Sequence, residues 1–232
     1  MPGYQVKHEQ IAITGAAHLH IRSLLDRRQY CDPLDAASSL GISSAAWPMF
    51  GLLWPSARHL AARMAARPVR AGERILEIGC GLALASLVSH RRGADITASD
   101  CHPMAASFLD ENLRLNDLPA LPYRHGQWQP DETAAAPAGG PQRVEGRFDL
   151  IVGSDLLYER DDSAALARFI ERHVKARAQV WIIDTNRGNR AAFVRQMARR
   201  GFRLTETRIE APAANGVAAY RGRLLGFQKA AQ

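Results

Sequence analysis

Glu77, Gly79 and Gly81 fall within one short stretch, Arg74-Ile-Leu-Glu-Ile-Gly-Cys-Gly81, and Asp100 follows about 20 residues on. Glycine has no Cβ, so the pair lets the backbone turn tightly and lets a ligand lie against it and the N-terminus of a following helix. An acid at the end of the next strand is placed to bind ribose hydroxyls. Two ligand classes use such a turn. A dinucleotide site wants a third glycine three residues after the second, where this chain has Leu84. Glu77 tips the balance, because a carboxylate beside the turn repels a pyrophosphate and suits a cation. S-adenosylmethionine (SAM), with its sulfonium and amino group, fits. The plain alternative is an ordinary strand, turn and helix with an exposed glutamate.

A second constellation lies in Phe148-Asp-Leu-Ile-Val-Gly-Ser-Asp-Leu-Leu-Tyr-Glu159. Its first half is an apolar strand, which puts Ser154, Asp155 and Tyr158 at the C-terminal end, the end that faces the ligand crevice of an open α/β sheet. An amine attacking a methyl sulfonium needs its lone pair aimed in line and its protons held by acceptors. Asp155 and nearby carbonyls can do this while the Tyr158 ring walls a narrow channel, so positioning and desolvation dominate. The competing reading is that Asp155 caps the next helix and Tyr158 is core.

These residues need a scaffold, and the apolar pattern supplies one. Ile75, Leu76 and Ile78 read as a central strand buried on both faces, followed by a helix from Leu82. The pattern then predicts a strand over 95–100, a helix over 103–116 with Met104, Phe108, Leu109, Leu113 and Leu115 on its apolar face, and a short strand near 121–125. Beyond 148–153 it predicts a helix over 164–175, a strand over 179–184, a helix over 190–200 and strands over 202–208 and 222–229. Residues 129 to 146 are rich in Pro, Ala and Gly and read as a mobile excursion. Alternation over 4–13 and again from His18 suggests a β-hairpin ahead of the main domain. Two divisions are expected, a hairpin and linker over 1–45 and a catalytic domain over 46–232. His18 and His20 share a strand face but lack a third ligand, so surface histidines are expected and no metal. His102, next to Asp100, could serve as a base, with an exposed rim histidine as the favoured reading.

Trp54-Pro-Ser-Ala57, Glu77-Ile-Gly-Cys-Gly81, Asp100 and the Asp155-x-x-Tyr158 element together resemble class I SAM-dependent methyltransferases, within them the protein lysine methyltransferase-like group. The resemblance covers roughly residues 47 to 229. It implies a Rossmann-like α/β fold, a seven-stranded, mostly parallel sheet with helices on both faces. It also implies that Trp54 lies over the cofactor pocket, with Trp47 flanking the same apolar segment, and that Trp128 after the third strand stacks on adenine. The expected cofactor contacts are Trp54, Glu77, Gly79, Gly81, Asp100, Trp128 and Ser154; the expected catalytic residues are Asp155 and Tyr158. Arg187, at a later strand end, could meet an acidic acceptor, with loop solvation as the simpler reading.

Bulk properties bound these expectations. A chain of 232 residues is long enough for an α/β domain with a full core. Its net charge of +7 is almost all arginine, the lysines being Lys7, Lys175 and Lys229, and reads as a solvated basic surface. Cys31, Cys80 and Cys101 show no paired spacing, which fits a reducing cytoplasm. No run of apolar residues is long enough to span a membrane, and no apolar core of a signal peptide is present. The expectation is a monomeric, soluble N-methyltransferase acting on a protein side chain such as lysine. The alternatives are a small-molecule amine, a nucleobase, or a SAM- or NAD-binding protein without methyl transfer. Enzymes that methylate nucleobase nitrogens usually carry prolines between the Asp and the aromatic, where Leu156 and Leu157 stand here.

Overall fold

The structure, a computed structural model, describes residues 3–128, 142–186, 188–214 and 217–229. The chain opens with an antiparallel hairpin, β1 (Val6–Ile11) and β2 (Leu19–Leu24). A single-turn 3-10 segment, Trp47–Gly51, leads into α1 (Pro55–Ala66), whose proline at the first turn needs no N–H partner. Then come β3 (Arg74–Ile78), α2 (Leu84–Arg91), β4 (Asp95–Asp100), α3 (Ala105–Leu115), β5 (Tyr123–His125) and β6 (Phe148–Ser154). The chain closes with α4 (Ala165–His173), β7 (Val174–Asp184), α5 (Arg190–Ala198), β8 (Phe202–Ala211) and β9 (Tyr220–Lys229).

Seven strands form one sheet in the order β5-β4-β3-β6-β7-β9-β8, with β9 antiparallel to both its neighbours and the pairs from β5 to β7 parallel. The order reverses between β3 and β6, which opens a crevice beyond their C-terminal ends. Strand alternation assigns side chains to the two faces. Ile75, Leu150, Val152 and Ile183 join the core under α1, α2, α3 and the hairpin, while Leu76, Ile78, Ile151, Val180 and Ile182 join the core under α4 and α5. The near-continuous apolar runs of β3 and β6 are therefore two half-sets serving two cores.

The hairpin is docked by side chains of α3 that act as a further strand edge. Asn112 Oδ1 accepts the Arg22 N–H at 2.7 Å, Asn116 Oδ1 accepts the His20 N–H at 3.0 Å, and Asn116 Nδ2 donates to the His20 carbonyl at 2.7 Å. The Arg22 guanidinium lies 4.3 Å from the Phe108 ring centroid.

Three expectations change. The helix expected over 164–175 ends at His173, and the strand expected over 179–184 begins at Val174, because its extended start pairs Val174 with Phe148 before the register shifts to Gln179 opposite Leu150. Of the excursion expected over 129–146, residues 129–141 lie outside the described residues. Its tail is held down: Arg143 bridges His125, and Val144 is buried. Arg187 also lies outside the described residues. His20 is exposed on β2, and among the described residues no group of three or more His, Cys, Asp or Glu could hold a metal. No described helix is long and apolar enough to cross a membrane.

Asn116→Ala removes both hydrogen bonds to the backbone of His20. The expected loss is about 1 to 2 kcal/mol of unfolding free energy, with faster amide exchange across β2, read by denaturant titration and hydrogen exchange.

Candidate active site

The turn after β3 has a demanding backbone. Gly79, Gly81 and Ala83 all take positive φ, at 54°, 50° and 57°. The conformation is pinned from β4: Asp100 Oδ2 accepts the Gly81 N–H at 2.8 Å and Asp100 Oδ1 accepts the His102 N–H at 2.9 Å. The absent Cβ atoms have a second use. A Cβ on Gly79 would lie 2.5 Å from Leu156 Cδ2 and 3.3 Å from Trp128 Cη2, and one on Gly81 would lie 2.8 Å from the Phe50 carbonyl oxygen. Close approach at the turn thus comes from the chain's own segments as well as from whatever lies in the crevice.

Glu77 is not an exposed glutamate, nor does it line the crevice. Strand alternation sends its side chain under the turn, 3% exposed, where it accepts the Ser86 N–H at 2.7 Å and the Ser86 hydroxyl. It thereby serves as a distant cap for α2, whose N-cap residue, Ala83, has no side-chain acceptor. Burial pushes its pKa up to about 7, with the Asp100 charge adding to the rise. Burial also raises Asp100, against the pull of the His102 and Gly81 N–H groups.

At the end of β6, Asp155 adopts the left-handed region at φ 55° and its N–H donates to the Ile183 carbonyl at 2.9 Å. This carboxylate is only 6% exposed, whereas Tyr158 is 46% exposed. The helix-cap reading of Asp155 fails, because Asp161 fills that position. Its carboxylate accepts the Ala165 and Leu166 N–H groups at 2.9 and 3.0 Å. The core reading of Tyr158 fails on its exposure.

Trp54, Gly79, Gly81, Asp100, Trp128, Ser154, Asp155 and Tyr158 all line one cleft of about 1010 Å³ beyond the C-terminal ends of β3, β4 and β6. Trp54 is fixed by an Nε1–H bond to the Met49 carbonyl at 2.8 Å, and Trp128 packs edge-on against Phe169 at 5.8 Å. Trp47 is a packing residue. It is 1% exposed and meets Phe50 and His102 at 5.8 and 5.6 Å. His102 is not an exposed rim residue. Only 4% exposed, it stacks on Phe50 at 3.8 Å, and burial lowers its pKa to about 3, which disqualifies it as a base near neutrality.

Residues 54–200 match the family model of a methyltransferase domain. The chain belongs to the SAM-dependent methyltransferases. A calmodulin-lysine N-methyltransferase from Arabidopsis thaliana is 25% identical over 72% of this chain and 54% of its own length. A ubiquinone biosynthesis O-methyltransferase from Pseudomonas aeruginosa is 30% identical over 52% of this chain and 48% of its own. The chain spans about half the length of these curated relatives. A TehB-like SAM-dependent methyltransferase from Corynebacterium glutamicum has the same fold, with a TM-score of 0.52 at 20% identity over 73% of this chain and 87% of that one. The cleft suits the family's methyl donor: it has the volume for a nucleoside with an amino-acid tail, and its inner end holds the buried acid Asp100 with Glu77 behind the turn.

Sequence reasoning missed two residues of this methyltransferase cleft. Leu156 fills the hollow left by Gly79 and Gly153, since a Cβ on Gly153 would lie 2.6 Å from Leu156 Cδ1. Phe50 backs both Gly81 and His102. Neither carries a local pattern that reports a partner distant in the chain. The Asp161 cap, by contrast, has a local signal, an acid just ahead of a helix.

Glu77 makes the stability of the fold depend on pH. Its folded pKa of about 7 lies above the ordinary value of 4.5. The folded state therefore binds the extra proton, and the stability this contributes is complete below pH 4.5 and lost as pH rises through about 7. Glu77→Gln should flatten that decline, by roughly 3 kcal/mol across the window, in thermal melts recorded from pH 4.5 upward through about 7.

Proposed function

We propose that this chain transfers the methyl group of SAM to a side-chain amine of a protein, lysine above all. The observation that carries the reading is Asp155: a buried carboxylate fixed in a left-handed turn at the end of β6, with half-exposed Tyr158 three residues on and the glycine turn in the same cleft. SAM, when bound, supplies a methyl carbon on a positively charged sulfur. The remaining work is positioning, and this chain's residues are suited to it. Asp100 holds ribose hydroxyls, Trp54 and Trp128 offer rings to the nucleoside, and the Gly79–Gly81 turn with Ser154 lines the way to the tail. Asp155 accepts hydrogen bonds from the N–H groups of the incoming amine and so aims its lone pair, while Tyr158 walls a channel for a slender aliphatic arm. Glu77 acts behind the turn, supporting α2 and adding to the preference for a cationic ligand.

The lysine specificity named for the Arabidopsis relative supports this acceptor. The Pseudomonas relative favours a second reading, a small-molecule acceptor. Incubating lysate with the purified protein and methyl-labelled SAM separates them, because label enters the protein fraction on the first reading and the low-mass filtrate on the second. The residue modified is then read by mass spectrometry.

Two variants test the assignments. Asp100→Ala should weaken SAM binding about tenfold or more, as the loss of charge-assisted hydrogen bonds worth roughly 1.5 to 3 kcal/mol requires, and calorimetry measures this directly. Unchanged affinity in a folded variant removes Asp100 from the ribose site. Asp155→Ala should lower turnover on the order of 100-fold with little change in SAM affinity, because its contact belongs to the acceptor and the transition state. Tyr158→Phe keeps the ring and should be milder.

A further inference from the structure

Between the end of β6 and the start of α4 the chain forms neither strand nor helix, yet it holds Asp155 at a positive φ and Tyr158 on the wall of the cleft. A strained residue keeps such a conformation only where its surroundings fix it. β7 supplies one restraint, the Ile183 carbonyl that accepts the Asp155 N–H at 2.9 Å. Two more come from the α5 side. Asn189 Nδ2–H donates to the carbonyl of buried Leu157 at 3.0 Å, and Gln196 Nε2–H donates to the Asp161 carbonyl at 2.6 Å. Asn189 and Gln196 are seven apart, the spacing that puts two side chains on one helix face.

Asn189 forgoes a local role to do this. It stands at the N-cap of α5, where an asparagine ordinarily accepts an N–H of its own helix from an extended backbone. Here its φ of −80° and ψ of −10° are helical, and its side chain makes no capping bond. The amide reaches instead to a carbonyl 32 positions earlier in the chain, and because a carbonyl only accepts, the amide nitrogen must face it. The Leu157 carbonyl shares a rigid peptide plane with the Tyr158 nitrogen, so fixing that oxygen fixes the direction in which the chain enters Tyr158, two residues after Asp155. We propose that Asn189, which lines the same cleft, is a positioning residue for methyl transfer: by holding the Leu157 carbonyl it sets where Asp155 and Tyr158 stand. The proposal rests on reading Asp155 as the group that meets the acceptor and is independent of what that acceptor is.

Asn189→Asp keeps the size and shape of the side chain and suits the positive end of α5, but a carboxylate only accepts and so opposes the Leu157 carbonyl. Turnover is read as methyl label leaving SAM, summed over the protein and low-mass fractions of a lysate. Integrity of the cofactor site is read as calorimetric affinity for S-adenosylhomocysteine, the demethylated product. Asn189→Asp should lower turnover about tenfold or more, the scale of a misplaced reacting group, with product affinity unchanged. In an Asp155→Ala background the same change should cost little further, because residues that act as a unit are not additive, whereas a merely structural role predicts equal losses in both. Wild-type turnover in Asn189→Asp, or equal losses in the two backgrounds, overturns the role of Asn189 alone. Full turnover in Asp155→Ala refutes the reading of Asp155 and the proposal with it. Asn189→Ala repeats the cycle should the aspartate variant not fold. Hydrogen exchange needs no acceptor: in Asn189→Ala it should quicken over residues 156–160 while β6 and β7 keep their protection. Unaltered exchange there refutes the restraint itself.

Discussion

The carboxylate of Asp100 is the constraint on which the cleft depends. One oxygen accepts the Gly81 N–H and the other the His102 N–H, so a single side chain ties the turn after β3 to the start of the segment after β4. Parallel neighbours share no local turn, and their ends are free to drift unless something bridges them. Here the bridge is a buried carboxylate that accepts two backbone N–H groups, which makes it strong and costly to leave unmade. Glycine takes the positive φ of Gly79 and Gly81 readily, Asp100 pins the turn through the Gly81 N–H, and the Phe50 carbonyl occupies the space a Cβ on Gly81 would need. The same burial that strengthens the bridge raises the pKa of Asp100, against the pull of the N–H groups it accepts.

Glu77 and Asp100 are two acids near one turn with divided labour. Strand alternation sends Glu77 under the turn to the first turn of α2, while Asp100 stays on the cleft wall. The charge of Asp100 makes Glu77 harder to ionise. Asp100 is the acid on the cleft wall, and a carboxylate there suits a cation better than a pyrophosphate, which agrees with membership in the SAM-dependent methyltransferases. Beyond the end of β6, Leu156 couples the turn at Asp155 to the glycine turn mechanically. It packs into the space left by Gly79 and Gly153, so the left-handed turn at Asp155 and the glycine turn support each other. Positioning chemistry requires that kind of rigidity, since misplacement by about 1 Å can forfeit most of its advantage.

Much of this was legible in the sequence. The apolar runs of β3 and β6, the glycine pair, the acid at the end of β4 and the Asp155-x-x-Tyr158 spacing specify strand ends and turn chemistry, which are local properties. The strand and helix patterns supplied the elements, and the resemblance to class I methyltransferases implied that the strands join in one seven-stranded, mostly parallel sheet, as they do. Boundaries slipped where a residue had two acceptable states: Val174 ends an amphipathic helix by pattern, yet its pairing with Phe148 draws it into β7.

The tertiary structure decided which face each polar side chain serves. Sequence alone placed Glu77 beside the glycine turn and His102 close to Asp100; packing determined that Glu77 caps α2 and that His102 is buried, neutral and clamped between Phe50 and Trp47. It likewise assigned the helix cap to Asp161 and left Asp155 to the cleft. The physical reason is range. Turn propensity and strand alternation act over a few residues, while burial, stacking and hydrogen-bond satisfaction depend on partners brought together from as far apart in the chain as Phe50 and Gly81, or Gly79 and Leu156.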